Sequence, residues 1–164
     1  MKSKQDLKII YCGYHGLYIS ALAGYMHILD IKSTQGENEA YLLAWMDSIT
    51  RTRFFPSGNL FYLGLDKDYN EVYSLGCKNA FGIIEKAQKG VVAIHHNLDG
   101  KIHHVDISFL EGRLCRLVLD HTHSSAICQR MALGYLRHYA RRQMEKILKR
   151  VLLVKEALKD GGLS

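Results

Sequence analysis

Leu7-Lys-Ile-Ile-Tyr-Cys12, then Gly13-Tyr-His-Gly16, then the stretch from Leu17 to Leu29, is the reading on which the fold turns. The first six residues are an apolar, β-prone run, two glycines punctuate it, and the last stretch spaces its apolar side chains as a helix does. A strand, a tight turn and a helix are predicted. In that helix Ser20, Ala21, Ala23 and Gly24 are small while Leu17, Leu22, Met26 and Leu29 are larger, a mixture that lets a helix lie close against a sheet.

Outward from this unit, Gly36 to Ile49 reads as a second helix, with Glu37 and Glu39 in its first turn where the helix dipole favours them. The one proline, Pro56, marks a turn. Asn59 to Leu65 and Glu71 to Gly76 flank the turn-forming Asp66-Lys-Asp-Tyr-Asn70 and predict an antiparallel hairpin. Lys78 to Lys89 predicts a helix ended by Gly90, followed by a short strand Val91-Val-Ala-Ile94 and a longer one from Lys101 to Ser108. Gly112 to Asp120 fits helix or strand. From Ser124 to Lys159 there is no proline and only Gly134 among glycines, so one long helix or two abutting ones follow.

The alternation of strands and helices predicts an α/β fold, a three-layer sandwich around a mixed sheet with one antiparallel hairpin, plus a long basic C-terminal helix. Residues 1–125 form the α/β domain in this reading, and 126–164 a helical segment packed on it or on a partner chain. Met144, Ile147, Val151, Val154 and Leu158 repeat at steps of three and four, a seam for another helix of the same chain or of a homodimer.

A chain of 164 residues with 48% hydrophobic and 23% charged side chains is long enough to bury a core without staples, which excludes disorder and fibrous classes. Cys12, Cys77, Cys115 and Cys128 form no Cys-x-x-Cys pair, so a zinc ribbon or redox motif is disfavoured and a reducing, cytoplasmic setting is expected. No apolar stretch approaches the roughly 18 residues of a membrane span, and the start of the sequence has no secretory pattern. The net charge of +6 is concentrated: Arg130 to Lys159 carries nine Lys/Arg and two Glu. A solvated basic face explains that segment better than nucleic acid, because Tyr135, His138, Tyr139, Arg141 and Arg142 are its only cluster of stacking and base-reading groups.

Three places carry chemistry. The loop after the first strand puts backbone amides at a helix N-terminus, an arrangement that favours an anion such as phosphate. Gly13, Tyr14, His15, Gly16, Tyr18 and Ser20 are its candidate ligand-binding residues: His15 to contact the anion, Tyr14 or Tyr18 to stack on a ring, Ser20 to donate a hydrogen bond. The loop has neither Gly-x-x-x-x-Gly-Lys-Ser/Thr nor Gly-x-Gly-x-x-Gly spacing. A cysteine phosphatase would require an arginine where Tyr18 stands, and a phosphocysteine carrier only the amides. The alternative is a glycine turn chosen for close strand-to-helix packing over a buried Cys12. The second place is Asp120-His-Thr-His-Ser-Ser125, where Asp120, His121 and His123 are candidate metal ligands and Ser124 or Ser125 a helix cap. The third is Asp106, a carboxylate among apolar neighbours near a strand end, added to the ligand-binding set.

Lys8-Ile-Ile-Tyr11, Ala21-Leu-Ala-Gly24 with His27, Leu60-Phe-Tyr-Leu-Gly64 through Asn70 to Gly76, and His104-Val-Asp106 together resemble an uncharacterised family of small α/β proteins of spore-forming bacteria, over about Leu7 to Asp106. That family has a Gly-Gly-Thr-His-Ser-Ser loop where this chain has Gly16-Leu-Tyr-Ile-Ser20, so only His15 or Ser20 carries over; Thr122-His-Ser-Ser125 occurs before the C-terminal helix instead. The resemblance implies the fold and a cytoplasmic setting, and no reaction or cofactor. The leading expectation is a protein that binds a phosphate-bearing small molecule or nucleotide at the first loop, with catalysis left open. The rivals are a non-enzymatic regulatory or interaction protein acting through its basic helix and a metal-dependent hydrolase.

Overall fold

The computed structural model describes residues 7–52, 58–94, 101–121 and 126–160. The turn at Pro56, the pair His95-His96, and Thr122 to Ser125 with His123 lie outside the described residues. Strand β1 (Lys8–Gly13) runs up the middle of the sheet and leads into α1 (Ile19–Ile28), and α2 is Glu37–Thr52. The hairpin is β2 (Leu60–Leu65) and β3 (Glu71–Gly76), followed by α3 (Phe81–Ile94) and β4 (Ile102–Asp106). A 3-10 turn at Ser108–Leu110 leads into α4 (Arg113–His121) and then α5 (Ala126–Lys159).

The strand order is β2-β3-β1-β4, with β1 parallel to both β3 and β4, and β2 antiparallel to β3. This is the expected mixed α/β sheet with one antiparallel pair. Because side chains alternate across a strand, Ile9, Tyr11, Val72 and Val105 face one side, where α1, α2 and α5 bury them. Ile10, Cys12 and Leu75 face the other, where α3 sets Phe81 and Ile84 against them. That second cover is thin, since no α3 residue is fully buried.

Two element readings change. The helix expected to stop at Gly90 continues through it to Ile94, so Val91 to Ile94 is helix and not strand. Gly90 has open space around it and a helical backbone, and a glycine without a left-handed turn to make does not end a helix. Gly112 to Asp120 resolves as α4, with Cys115 and Leu119 buried four residues apart. Helix α1 does end in a left-handed residue, Asp30 at φ 53, with Ile31 N–H to Met26 O and Asp30 N–H to His27 O closing the last turn.

Helix α5 packs along α1 and α2, and Met144, Ile147, Val151 and Val154 are buried in the same core as the sheet. Its apolar seam is therefore covered within the chain, and a dimer would have to use another face. Part of its positive charge is answered locally as well, by Arg137 on Asp47 and Arg141 on Glu39 of α2. Among the described residues no helix is long and apolar enough to cross a membrane.

One polar network is enclosed in this layer. His27, 1% exposed, donates from Nε2 to Asp66 Oδ2 (3.3 Å) and accepts at Nδ1 from Tyr11 Oη (2.7 Å). Burial, with Lys155 nearby, lowers its pKa to about 4, so the ring is neutral at pH 7. Asp66 in turn accepts from the Asp68 and Asn70 amides and from Asn70 Nδ2, which fixes the hairpin turn.

Candidate functional site

The carboxyl ends of β1, β3 and β4 lie side by side, and the loop leaving β1 passes over them. Two glycines set its height. A Cβ on Gly16 would stand 2.8 Å from Gly76 N, and one on Gly76 would stand 2.7 Å from Gly16 N, so two backbones meet where no larger residue fits. Ser74 Oγ donates to Gly16 O (2.6 Å) and Ser20 Oγ to His15 O (2.9 Å), pinning the loop from beneath.

These contacts sort the candidate residues. Ser20 is buried and turned toward the loop's own carbonyl. Tyr18 is buried with Leu17, Phe61, Cys115, Leu119 and Leu136, so of the two tyrosines only Tyr14 faces outward. Asp106 Oδ1 accepts from Ser108 N–H (2.9 Å), capping the turn after β4. Cys12 is buried, and the adjoining Cys77 thiol together with burial holds its thiol above the ordinary range. A protonated, enclosed thiol is not a nucleophile at neutral pH, which removes support from the cysteine-phosphatase alternative.

Tyr14 and His15 converge with residues from other elements. Asp120, at the end of α4, accepts from Tyr14 Oη (2.9 Å) and meets His15 Nε2 (3.2 Å) and Lys78 Nζ (4.0 Å). Burial raises the Asp120 pKa, but the bonds from His15 and Tyr14 and the Lys78 charge outweigh it and hold the carboxyl below its usual range. Lys78 stands two residues after β3 in a left-handed backbone, φ 47, with its amide donating to Tyr14 O. Arg116, one turn before Asp120 on α4, lies 5.0 Å from the centre of the Tyr14 ring. It donates to Glu111 O, Ser108 O and Asn79 Oδ1, which fastens the β4–α4 connection.

Glu111 is the residue beneath the loop. Its Oε2 accepts from Tyr14 N–H (2.7 Å) and His15 N–H (3.3 Å). The side chain is buried, and burial pushes its pKa up to about 8 despite those amides and Arg116, so the carboxyl is largely neutral at pH 7. The two loop amides are thus occupied by a side chain of the chain itself.

Sequence reasoning placed Asp120 in a metal set and His15 in a loop; the fold joins them in one cluster. His121 points away, its Nδ1 against Leu117 O (2.8 Å), and His123 lies outside the described residues. Among the described residues no group of three His, Cys, Asp or Glu side chains is placed to hold a metal ion. Glu111, Arg116 and Lys78 were not foreseen. Nothing local marks Glu111 or Arg116, since their positions depend on the register of β4 beside β1, whereas Lys78 could have been suspected as a cation right after a strand.

No curated protein and no solved structure matches the chain. A family profile does, over residues 8–156, reaching past Asp106 to take in α4 and nearly all of α5. The chain belongs to that family, described as protein of unknown function (DUF3189).

Proposed function

We propose that the protein binds a small phosphate-bearing molecule, such as a nucleotide, over the loop at the carboxyl ends of β1, β3 and β4. The observation that carries this reading is the convergence of Tyr14, His15 and Lys78 on Asp120, with Arg116 against the Tyr14 ring, from three separate segments, at the edge where open α/β sheets take their ligands. Lys78 and Arg116 supply fixed positive charge for the anion. The Tyr14 ring, backed by Arg116, offers a face for a base or sugar. Asp120 orients Tyr14 and His15 and keeps the cluster from being purely cationic. Binding needs no more than this set, and a reaction is no part of the proposal.

The test is calorimetry of the full chain with adenosine monophosphate and sugar phosphates, in the wild type and in Lys78→Ala and His15→Ala. Binding in the wild type with at least tenfold loss in Lys78→Ala is expected, with unchanged melting of the variant. Binding indifferent to both replacements, or none by a cooperatively melting wild type, would remove the reading.

A further inference from the structure

The two amides that open the loop are occupied by Glu111 Oε2, at 2.7 Å from Tyr14 N and 3.3 Å from His15 N. A carboxyl oxygen and a phosphate oxygen both accept hydrogen bonds from such a pair of donors. Yet this occupant is poorly settled. Its second oxygen, Oε1, is buried without a hydrogen-bond partner among the described residues, in a side chain only 1% exposed. That oxygen lies over Gly13, where an added Cβ would come within 2.6 Å of it, so the residue type at 13 is what leaves room for an acidic group here. Arg116 does not close on the carboxylate; its three hydrogen bonds go to Glu111 O, Ser108 O and Asn79 Oδ1. A buried carboxyl with one oxygen satisfied twice and the other not at all has left its desolvation partly uncompensated.

We infer that Glu111 is the resting occupant of an oxyanion cradle at the Tyr14 and His15 amides, and that the ligand's phosphate group takes this place by displacing the Glu111 carboxyl. The inference rests on the ligand reading above and adds to it the seat of the phosphate. The exchange conserves the two N–H bonds, passing them from carboxyl oxygen to phosphate oxygen. It also takes the Glu111 carboxyl from a place where one of its oxygens is unpartnered among the described residues. Lys78 and Arg116, already at the rim, offset the incoming charge.

Calorimetry of the full chain with inorganic phosphate, comparing wild type with Glu111→Ala, tests this. Without the carboxyl the amides stand open, and phosphate affinity is expected to rise at least tenfold. Equal or weaker binding by folded Glu111→Ala overturns the inference. If that variant does not fold, the wild type answers by NMR. During a phosphate titration the Tyr14 and His15 amides and the Glu111 carboxyl carbon must shift together and saturate together. Phosphate binding that depends on Lys78 but leaves those three resonances unmoved overturns the displacement and leaves the ligand reading standing. Failure of phosphate to bind either protein also overturns the displacement, and the separate calorimetry with phosphate esters then decides whether the ligand reading falls with it.

Discussion

Replacing Glu111 by Gln should flatten the pH dependence of stability above pH 6.5. The carboxyl has an ordinary pKa of 4.5 when the chain is unfolded and about 8 when folded. Between those values the folded state binds a proton that the unfolded state has lost, so stability falls as pH rises through the window and levels off above it. At about 1.4 kcal/mol per pKa unit the full span corresponds to about 5 kcal/mol, and the part between pH 6.5 and 8 to about 2 kcal/mol. The buried His27 works in the opposite sense at lower pH. With its folded pKa lowered to about 4 from 6.5, the unfolded state binds the extra proton between those values, and stability rises with pH until about 6.5. The two slopes oppose each other below pH 6.5, and only the Glu111 slope continues above. Urea unfolding at half-unit steps from pH 5 to 9 reads the difference between wild type and Glu111→Gln, in which every other group cancels. The expected result is a wild-type decline of about 2 kcal/mol between pH 6.5 and 8 that Glu111→Gln lacks. A flat wild type, or a variant that declines equally, would refute the account of Glu111 as a buried, mostly protonated carboxyl.

Gly16→Ala should cost about 1–3 kcal/mol, because its Cβ would be driven to 2.8 Å from Gly76 N and the backbone must shift to admit it. Thermal unfolding checks this, and an unchanged midpoint would contradict the close approach of loop and β3. Val151→Asp should unfold the monomer, since it buries an unpaired charge in the core shared by sheet and helices, whereas Leu153→Asp, at a residue 57% exposed, should change stability by no more than about 0.5 kcal/mol. Circular dichroism and sedimentation distinguish this from a dimer seam, where Val151→Asp would give a folded monomer.

The elements that could be read from the sequence are those whose signals are local. β1, its glycine turn and α1 follow from an apolar run, two glycines and a change of period; the hairpin follows from Asp66 to Asn70 between two β-prone runs. The end of α3 reads differently in sequence because Val91, Val92 and Ile94 are β-branched and follow Gly90, although the helix carries straight through. α4 is ambiguous in sequence because it is short and its apolar run Leu117-Val-Leu119 suits a strand as well as a helix. In the site, Tyr14 and His15 were visible as loop residues, but Tyr18 and Ser20 were equally eligible until burial separated them. Glu111 illustrates the deeper limit. Its carboxyl meets the loop from 97 residues away, along a path set by strand register and a 3-10 turn, and no local pattern encodes that meeting. The same fold turned Asp120 from a neighbour of His121 into a partner of His15.

The central claim is that ligand and loop meet at the carboxyl ends of β1, β3 and β4, and backbone NMR of the isotope-labelled chain titrated with adenosine monophosphate tests it most directly. Saturable shifts concentrated at Tyr14, His15, Lys78, Arg116 and Asp120, abolished in Lys78→Ala, are expected. Shifts confined to α5, or none at millimolar ligand in a well-dispersed spectrum, would contradict it.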